Sequence, residues 1–396
     1  MPGIGSRATL TAMAMPGNLP ADTIFPFLAS ALATGAIVFL SPRLGALVHD
    51  NQSGPQKFHD YPVARIGGLG ILVGLAVTLD GAWRSGAGLG TAWTLLACSL
   101  PALVVGLLED VTKRVGVALR LGATMLSAAA AWFALDAGLV RLDVAFLDWL
   151  LAFPLFAFVI TLVAVAGIAN AVNIIDGYNG LSGAITLAVL ASLAIVAARV
   201  GDVELVALSV TLAMAVAGFF VWNFPRGKIF LGDGGAYAVG FLIAEIAVLL
   251  VARHPQVSPW FPLVLLAYPA WETLFSIYRK KYHRGHSPGQ PDGLHLHMLV
   301  YKRLVRWRPF SQVTADKVLR NSLTSVYLWV MIPLTCLPAL LYWDNSLVLA
   351  VYAFAFGFGY NFLYTAMVRF KVPGIFVIRS QAERDRATER ETLKGG

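Results

Sequence analysis

The segment Asn170-Ala-Val-Asn-Ile-Ile-Asp-Gly-Tyr-Asn-Gly-Leu181 sets five side chains able to bind a nucleotide or a metal between two strongly apolar runs. Polar groups are costly to concentrate at a bilayer boundary, so such a cluster marks a functional site and points to chemistry at a membrane surface. On a helix, Asn170, Asn173 and Asp176 share an arc of about 120°, which makes one face polar. Gly177 and Gly180 behind them let the backbone turn and approach a ligand closely. Further along, His295 and His297 lie about 200° apart on a helix, so they serve one ligand only in an extended segment or a first helical turn. Pro291-Asp292-Gly293 suits a turn into such a start, where backbone N–H groups and imidazoles face a phosphate well. A zinc site competes for these histidines, but with no cysteine nearby and only His283 and His286 as extra ligands the phosphate reading is preferred.

The elements that must position these groups are membrane spans. The 396 residues are 58% hydrophobic and 13% charged, with a mean hydropathy of +0.70, too apolar for a soluble domain of ordinary composition. A helix needs roughly 17–25 apolar residues to cross a bilayer. Such stretches occur near 24–41, 66–83, 91–108, 118–135, 150–169, 181–199, 203–222, 235–252, 259–277, 323–342 and 347–368. The expected architecture is all-α and polytopic, with about eleven transmembrane helices.

Short cytoplasmic loops collect Lys and Arg. With the N-terminus outside, the connections 42–65, 109–120, 170–180, 223–234 and 278–322 and the tail from Arg369 are cytoplasmic and hold 25 of the 30 Lys and Arg residues. The outer side holds only Arg7, Arg84, Arg141, Arg199 and Arg253, so the expected orientation is N-out, C-in. The formal charge of +8 is mostly this excess. Attraction to anionic lipid headgroups accounts for most of these residues as well as catalysis would, and a nucleic-acid partner is not expected.

Residues 1–22 lack the ordered parts of a cleaved signal and are expected as an outer tail. Residues 23–370 form the integral-membrane domain with a long cytoplasmic loop at 278–322, and 371–396 a polar cytoplasmic tail. Cys98 and Cys336 fall inside apolar spans, without metal or disulfide spacing, and read as packing residues. No internal repeat supports the inverted-repeat plan of many transporters.

Drawn on this topology, the polar clusters all belong to cytoplasmic connections: Lys57 to Arg65, Glu109-Asp110, Asn170 to Asn179, Asn223 to Asp233, and His295-Leu-His297. Five blocks in this order resemble the polyprenyl-phosphate N-acetylhexosamine-1-phosphate transferase family. They are His59-Asp-Tyr-Pro-Val-Ala-Arg-Ile-Gly-Gly68, Gly106-Leu-Leu-Glu-Asp-Val-Thr-Lys113, Asn173-Ile-Ile-Asp-Gly-Tyr-Asn-Gly-Leu181, Lys228-Ile-Phe-Leu-Gly-Asp-Gly-Gly235 and Ser287-Pro-Gly-Gln-Pro-Asp-Gly-Leu-His-Leu-His297. Each block alone is weak, and together they cover roughly residues 55–300. The chain departs from the family pattern at Glu109, where an Asp is usual, at Gly235, where a residue such as Ser is usual, and at Gly293, where an Arg is usual. A further His usually stands near Met298.

The resemblance implies an enzyme of the bacterial inner (plasma) membrane with a cytoplasmic active site. It would transfer N-acetylhexosamine-1-phosphate, GlcNAc-1-phosphate by default, from a UDP-sugar to undecaprenyl phosphate, starting O-antigen or a related envelope glycan. Its partners would be these two substrates and membrane lipids, and the resemblance also admits a homodimer. Such a transfer needs a cation to screen the phosphates, and Mg²⁺, with Mn²⁺ as a substitute, prefers one or two carboxylates along with phosphate oxygens. Asp110, Asp176 and Asp233 are the candidates, and the resemblance makes Asp233 the direct metal ligand. Asp110, beside Glu109, would position the lipid phosphate, with Lys57 and Arg65 supplying positive charge. The uracil and ribose would sit at Asn173, Gly177 and Asn179 with Phe230 as a stacking ring, and His295 and His297 would hold the diphosphate or the sugar.

The residues also admit other readings. Asp233 read as a helix cap, and Glu109-Asp110 as a helix end ion-paired to Lys113 and Arg114, need no catalysis. A secondary transporter would place ionisable groups near the midplane, where only Glu245 and Glu272 lie, with no evident partner for either. The Asp-x-x-Asp-Gly-x-x-Ala-Arg pattern of the CDP-alcohol phosphatidyltransferases does not occur. The charge bias predicts that a reporter fused after Lys394 is cytoplasmic and one inserted near Arg141 external. The reverse pattern would put every polar cluster on the wrong side for a nucleotide-sugar.

Overall fold

The computed structural model describes residues 24–44, 63–84, 90–283, 294–304 and 317–369. In chain order the helices are α1 (Phe25–Leu44), α2 (Gly67–Arg84), α3 (Gly90–Cys98), α4 (Leu100–Thr112), α5 (Val117–Leu135), α6 (Ala145–Leu151), α7 (Pro154–Ile175) and α8 (Leu181–Val200). They continue with α9 (Val203–Asn223), α10 (Gly232–Arg253), α11 (Trp260–Leu265), α12 (Ala267–Tyr278), α13 (Leu296–Leu299), α14 (Lys317–Leu328), α15 (Met331–Leu341) and α16 (Ser346–Val368). Short π-helical turns at Arg279–His283 and Val300–Leu304 follow α12 and α13. Among the described residues the only β-type pairing is an isolated parallel bridge between Ala64 and Ile229.

The all-α architecture is as expected. Among the described residues nine helical stretches are long and apolar enough to cross a membrane, with α3–α4 and α14–α15 each counting as one. The stretches expected at 66–83 and 259–277 are not among them. The apolar part of α2 is only Gly67–Gly81. The second is divided into α11 and α12, since Pro269 has no N–H to offer the Leu265 carbonyl. Cys98 and Cys336 are both buried and unpaired, as packing residues should be.

The centre of the protein is α10. Its apolar stretch is 94% buried by α7, α4, α2, α5 and their neighbours, against 17% for α16, whose apolar faces are left for lipid. The start of α10 is welded to the start of α2. The Phe230 N–H bonds the Ala64 carbonyl at 2.9 Å, and the Gly67 and Gly68 N–H groups bond the Phe230 and Leu231 carbonyls at 2.9 and 3.0 Å. The first N–H groups of α2, which have no partner within the helix, are thereby satisfied. Two glycine features permit this. Gly232 has φ +75°, and a Cβ there would stand 1.6 Å from the Arg65 carbonyl oxygen. Gly68 lies against Gly235, with a Cβ on Gly68 falling 2.0 Å from the Gly235 Cα.

This backbone contact predicts that Gly68→Ala forces α2 and α10 apart and lowers stability by about 1–3 kcal/mol. Thermal unfolding in detergent would read this as a lower midpoint, and an unchanged midpoint would show that the two helices do not depend on that approach.

Candidate functional site

Three carboxylates gather at one end of the bundle, each carried by a helix terminus. Asp110 lies in the last turn of α4, Asp176 caps the C-terminus of α7, and Asp233 is in the first turn of α10. All three are buried.

Asp110 is committed to α10. Its two oxygens accept the backbone N–H groups of Asp233 and Gly234, each at 2.9 Å. Those donors would otherwise be orphans at a buried helix start. The capping role weighed for Asp233 therefore belongs to Asp110, which orients the turn bearing Asp233. Glu109, expected to act beside it, is turned to the following loop, where Oε2 accepts the Val115 N–H at 2.6 Å. The longer side chain at this departure from the family pattern serves as a clasp on the α4–α5 connection.

Asp233 itself is surrounded by donors. Arg120 from α5 makes an ion pair and hydrogen bond with Oδ2, Asn173 donates to Oδ1 at 2.8 Å, and Arg65 approaches Oδ1 at 3.7 Å. The guanidinium of Arg120 also stands 5.7 Å from the centre of the Tyr237 ring, whose hydroxyl donates to Asn170 at 2.8 Å. Asn170 and Asn173 thus turn toward α10 along a common face, as the helical spacing requires. Asp176 follows them. Its Oδ1 accepts the Ser182 hydroxyl at 2.6 Å, while Oδ2 is buried with no hydrogen-bond partner among the described residues. Burial pushes the Asp176 carboxyl up to about 7, with the Ser182 hydroxyl and Arg65 pulling the other way.

The rest of the Asn173–Asn179 segment divides. Gly177 is exposed, with open space where a Cβ would be, so its backbone is approachable. Asn179 is fully buried and serves the fold. Its N–H donates to Asn321 at 2.7 Å, and its amide donates to Ser322 at 2.9 Å and to the Pro225 carbonyl at 3.3 Å. Base pairing by Asn179 therefore requires this network to open, with Oδ1, which has no hydrogen-bond partner among the described residues, as its available atom. Phe230 is 8% exposed and belongs to the backbone link between α2 and α10. Asn223 locks that loop to the α7–α8 turn, accepting the Gly180 N–H at 2.6 Å and donating to the Ile229 carbonyl at 2.7 Å.

His295 is the extended N-cap of α13 and His297 lies in its first turn, the arrangement that lets both serve one ligand. Their rings are parallel at 5.2 Å, and both turn Nδ1 to Glu272 Oε1, at 3.3 and 3.2 Å. Glu272 thus has the partners that its sequence position did not reveal. His297 also meets Tyr178 edge-on at 5.4 Å, which joins the histidine segment to the α7–α8 turn. Burial lowers the His297 pKa from its ordinary value, although Glu272 opposes this.

Lys57, His286 and Gly293 lie outside the described residues. Of the groups expected in the site, Asp110, Asp176, Asp233, Asn173 and Arg65 come together. Sequence reading missed Arg120, Ser182, Asn223, Tyr237 and Glu272. The only signal for Arg120 was the need of a buried Asp233 for a cation, and positive-inside bias makes single arginines uninformative.

A helical membrane bundle with buried acids, arginines and an amide converging at one end is the frame of an enzyme that handles phosphate at the membrane surface. Residues 92–251 match the model of glycosyl transferase family 4. The chain is 27% identical over 283 residues to a probable undecaprenyl-phosphate N-acetylglucosaminyl 1-phosphate transferase of Bacillus subtilis, covering 69% of this chain and 75% of that protein. An undecaprenyl-phosphate alpha-N-acetylglucosaminyl 1-phosphate transferase of Yersinia pestis is 27% identical over 268 residues, 62% of this chain and 71% of the relative. A decaprenyl-phosphate N-acetylglucosaminephosphotransferase of Mycolicibacterium smegmatis is 34% identical over 102 residues, 23% of this chain and a quarter of that protein. Over residues 92–251 the chain is thus similar to glycosyl transferase family 4.

Proposed function

We propose that the protein transfers N-acetylhexosamine-1-phosphate, with GlcNAc-1-phosphate as cargo, from a UDP-sugar to a polyprenyl phosphate such as undecaprenyl phosphate. An oxygen of the lipid phosphate attacks the β-phosphorus, the bond to the UMP oxygen breaks, and UMP and a polyprenyl-diphospho-sugar result. The product starts an envelope glycan, O-antigen or another. The observation that carries this reading is the convergence of Asp110, Asp176 and Asp233 with Arg65, Arg120 and Asn173 at one end of the bundle.

The same reading takes the protein as an eleven-span, N-out, C-in protein of the bacterial inner membrane with its site facing the cytoplasm, where nucleotide-sugars are made. Charge bias supports it, and two of the acids border basic connections, Asp110 just ahead of Lys113 and Arg114 and Asp233 just after Arg226 and Lys228.

The donor set suits Mg²⁺ or Mn²⁺. Asp176 offers a buried carboxylate oxygen with no hydrogen-bond partner among the described residues, and Asp233, whose oxygens also meet Arg120 and Asn173, is a second hard oxygen donor at the same end of the bundle. When bound, the cation screens the charge of the phosphates. The protein's own groups do the rest. Arg65 and Arg120 hold anionic oxygens near Asp233, and Lys57 would add charge toward the lipid phosphate. Gly177, Asn179 and Phe230 are the nucleotide-side groups, and His295 and His297 serve the diphosphate or the sugar. Catalysis of this kind is positioning and electrostatics rather than covalent chemistry.

Purified protein incubated with undecaprenyl phosphate and a panel of UDP-sugars should release UMP, most readily with UDP-GlcNAc. Excess EDTA should abolish turnover, Mg²⁺ or Mn²⁺ should restore it, and Asp233→Asn should lose most of it while staying folded. Full activity in EDTA would remove the metal from the mechanism.

Asp110 invites a base role, but a phosphate monoester has its second pKa near 6, so at neutral pH most of the lipid phosphate is already the dianion. With both oxygens spent on N–H groups of α10, Asp110 acts by orientation. Asp110→Asn keeps one acceptor for two donors, so activity should fall at pH 7 and stay low at pH 9. Recovery in alkali with the metal still bound would make Asp110 the base.

A further inference from the structure

Glu272 is a carboxylate in the middle of an apolar helix, 1% exposed, and no part of the transfer chemistry above uses it. Four donors or potential donors face it. Oε1 accepts the Leu296 N–H at 2.7 Å and meets Nδ1 of His295 and His297 at 3.3 and 3.2 Å, and Oε2 accepts the Tyr360 hydroxyl at 2.6 Å. A carboxylate this deep is retained against its desolvation cost only where donors satisfy it. Which nitrogen of an imidazole carries the proton is set by the bond that the other nitrogen makes. With each Nδ1 turned to the same oxygen and the two rings parallel to within 3°, each Nε2 is left directed away from Glu272. The Nδ1 contacts are at the long end of hydrogen bonding and do not meet hydrogen-bond geometry. Such contacts tighten when substrate arrives.

We propose that Glu272, held by Tyr360 and the Leu296 N–H, is the positioning residue of the histidine pair, fixing His295 and His297 with Nδ1 protonated so that both Nε2 atoms face the diphosphate or sugar of the donor. This rests on the transferase reading and deepens it. Glu272 acts through the imidazoles and does not itself touch substrate. The low pKa of His297 fits, since a neutral ring has one defined tautomer. A metal held by the same three side chains is the competing use of the cluster. It is less well supported, because Oε1 already accepts Leu296 and the described residues supply no fourth His, Cys, Asp or Glu to the group.

The test is a double-mutant cycle on the full-length protein in detergent, read by UMP release with UDP-GlcNAc and undecaprenyl phosphate. Glu272→Gln should lower kcat about 10- to 100-fold, the range seen when a group orienting a functional histidine is removed, with KM changed less than about threefold. In a His297→Gln background the same change should cost almost nothing more. Should Glu272→Gln not be recovered folded, Tyr360→Phe carries the test, with a kcat loss of about threefold or more that likewise vanishes beside His297→Gln. A wild-type kcat in the single variant, or full additivity in the double, overturns the inference while the transferase reading stands. Stoichiometric zinc in the purified protein, lost in Glu272→Gln, overturns it in favour of a metal site. A wild-type protein that releases no UMP from any UDP-sugar overturns the transferase reading and this role with it.

Discussion

The arrangement depends on one capped helix start. Helix α10 is the most buried of the candidate spans, and its first turn, which carries Asp233, is buried as well, so its free N–H groups need partners within the protein. Asp110 accepts two of those groups with its two oxygens. The cap also fixes distance. Since α4 delivers Asp110 and α10 delivers Asp233, the cap sets how far apart the two acids stand. Packing at glycine contact, Gly68 on Gly235 and Gly106 on Gly234, then lets α2 and α4 press against the same turn. Arg65 arrives on the strand-like segment ahead of α2 for that reason.

Electrostatic balance follows from this geometry. Three buried acids within mutual reach repel one another, and Arg65 and Arg120 offset part of that. The offset is uneven. Asp233 takes both guanidiniums and the Asn173 amide, while Asp176 keeps an oxygen with no hydrogen-bond partner among the described residues and a raised pKa. Positive charge at this end of the bundle is thus concentrated on Asp233.

Much of this was legible before any coordinates. The apolar runs gave the helices, and the polar blocks between them marked the end of the bundle where the acids meet. Helical spacing put Asn170 and Asn173 on one face, and both do face α10. What escaped was anything that depends on packing between distant segments. Arg120 is 113 residues from Asp233 and looks like any basic residue beside a span. Glu272 and His295 stand in different elements, one in apolar sequence and one in a loop, so their pairing has no local signature. Asn179 reads as a ligand-facing asparagine, yet its partners are Asn321 and Ser322 in a helix far along the chain. Hydropathy also does not register that Pro269 divides one apolar run into two helices.

The departures from the family pattern acquire physical meanings at the same level. Where a residue such as Ser is usual, this chain has Gly235, and a Cβ there would stand 2.5 Å from the Gly68 Cα. A side chain at 235 would need α2 to stand further off, which would carry Arg65 away from Asp233. Gly235 is thus a variation in how close α2 lies, and it reaches the site through the arginine that α2 brings. Where an Asp is usual, Glu109 reaches the Val115 N–H across the α4–α5 turn, a span that the extra methylene helps it make. That turn delivers Arg120 to Asp233. Gly235 and Glu109 therefore both bear on the cations that hold Asp233 rather than on the acids themselves.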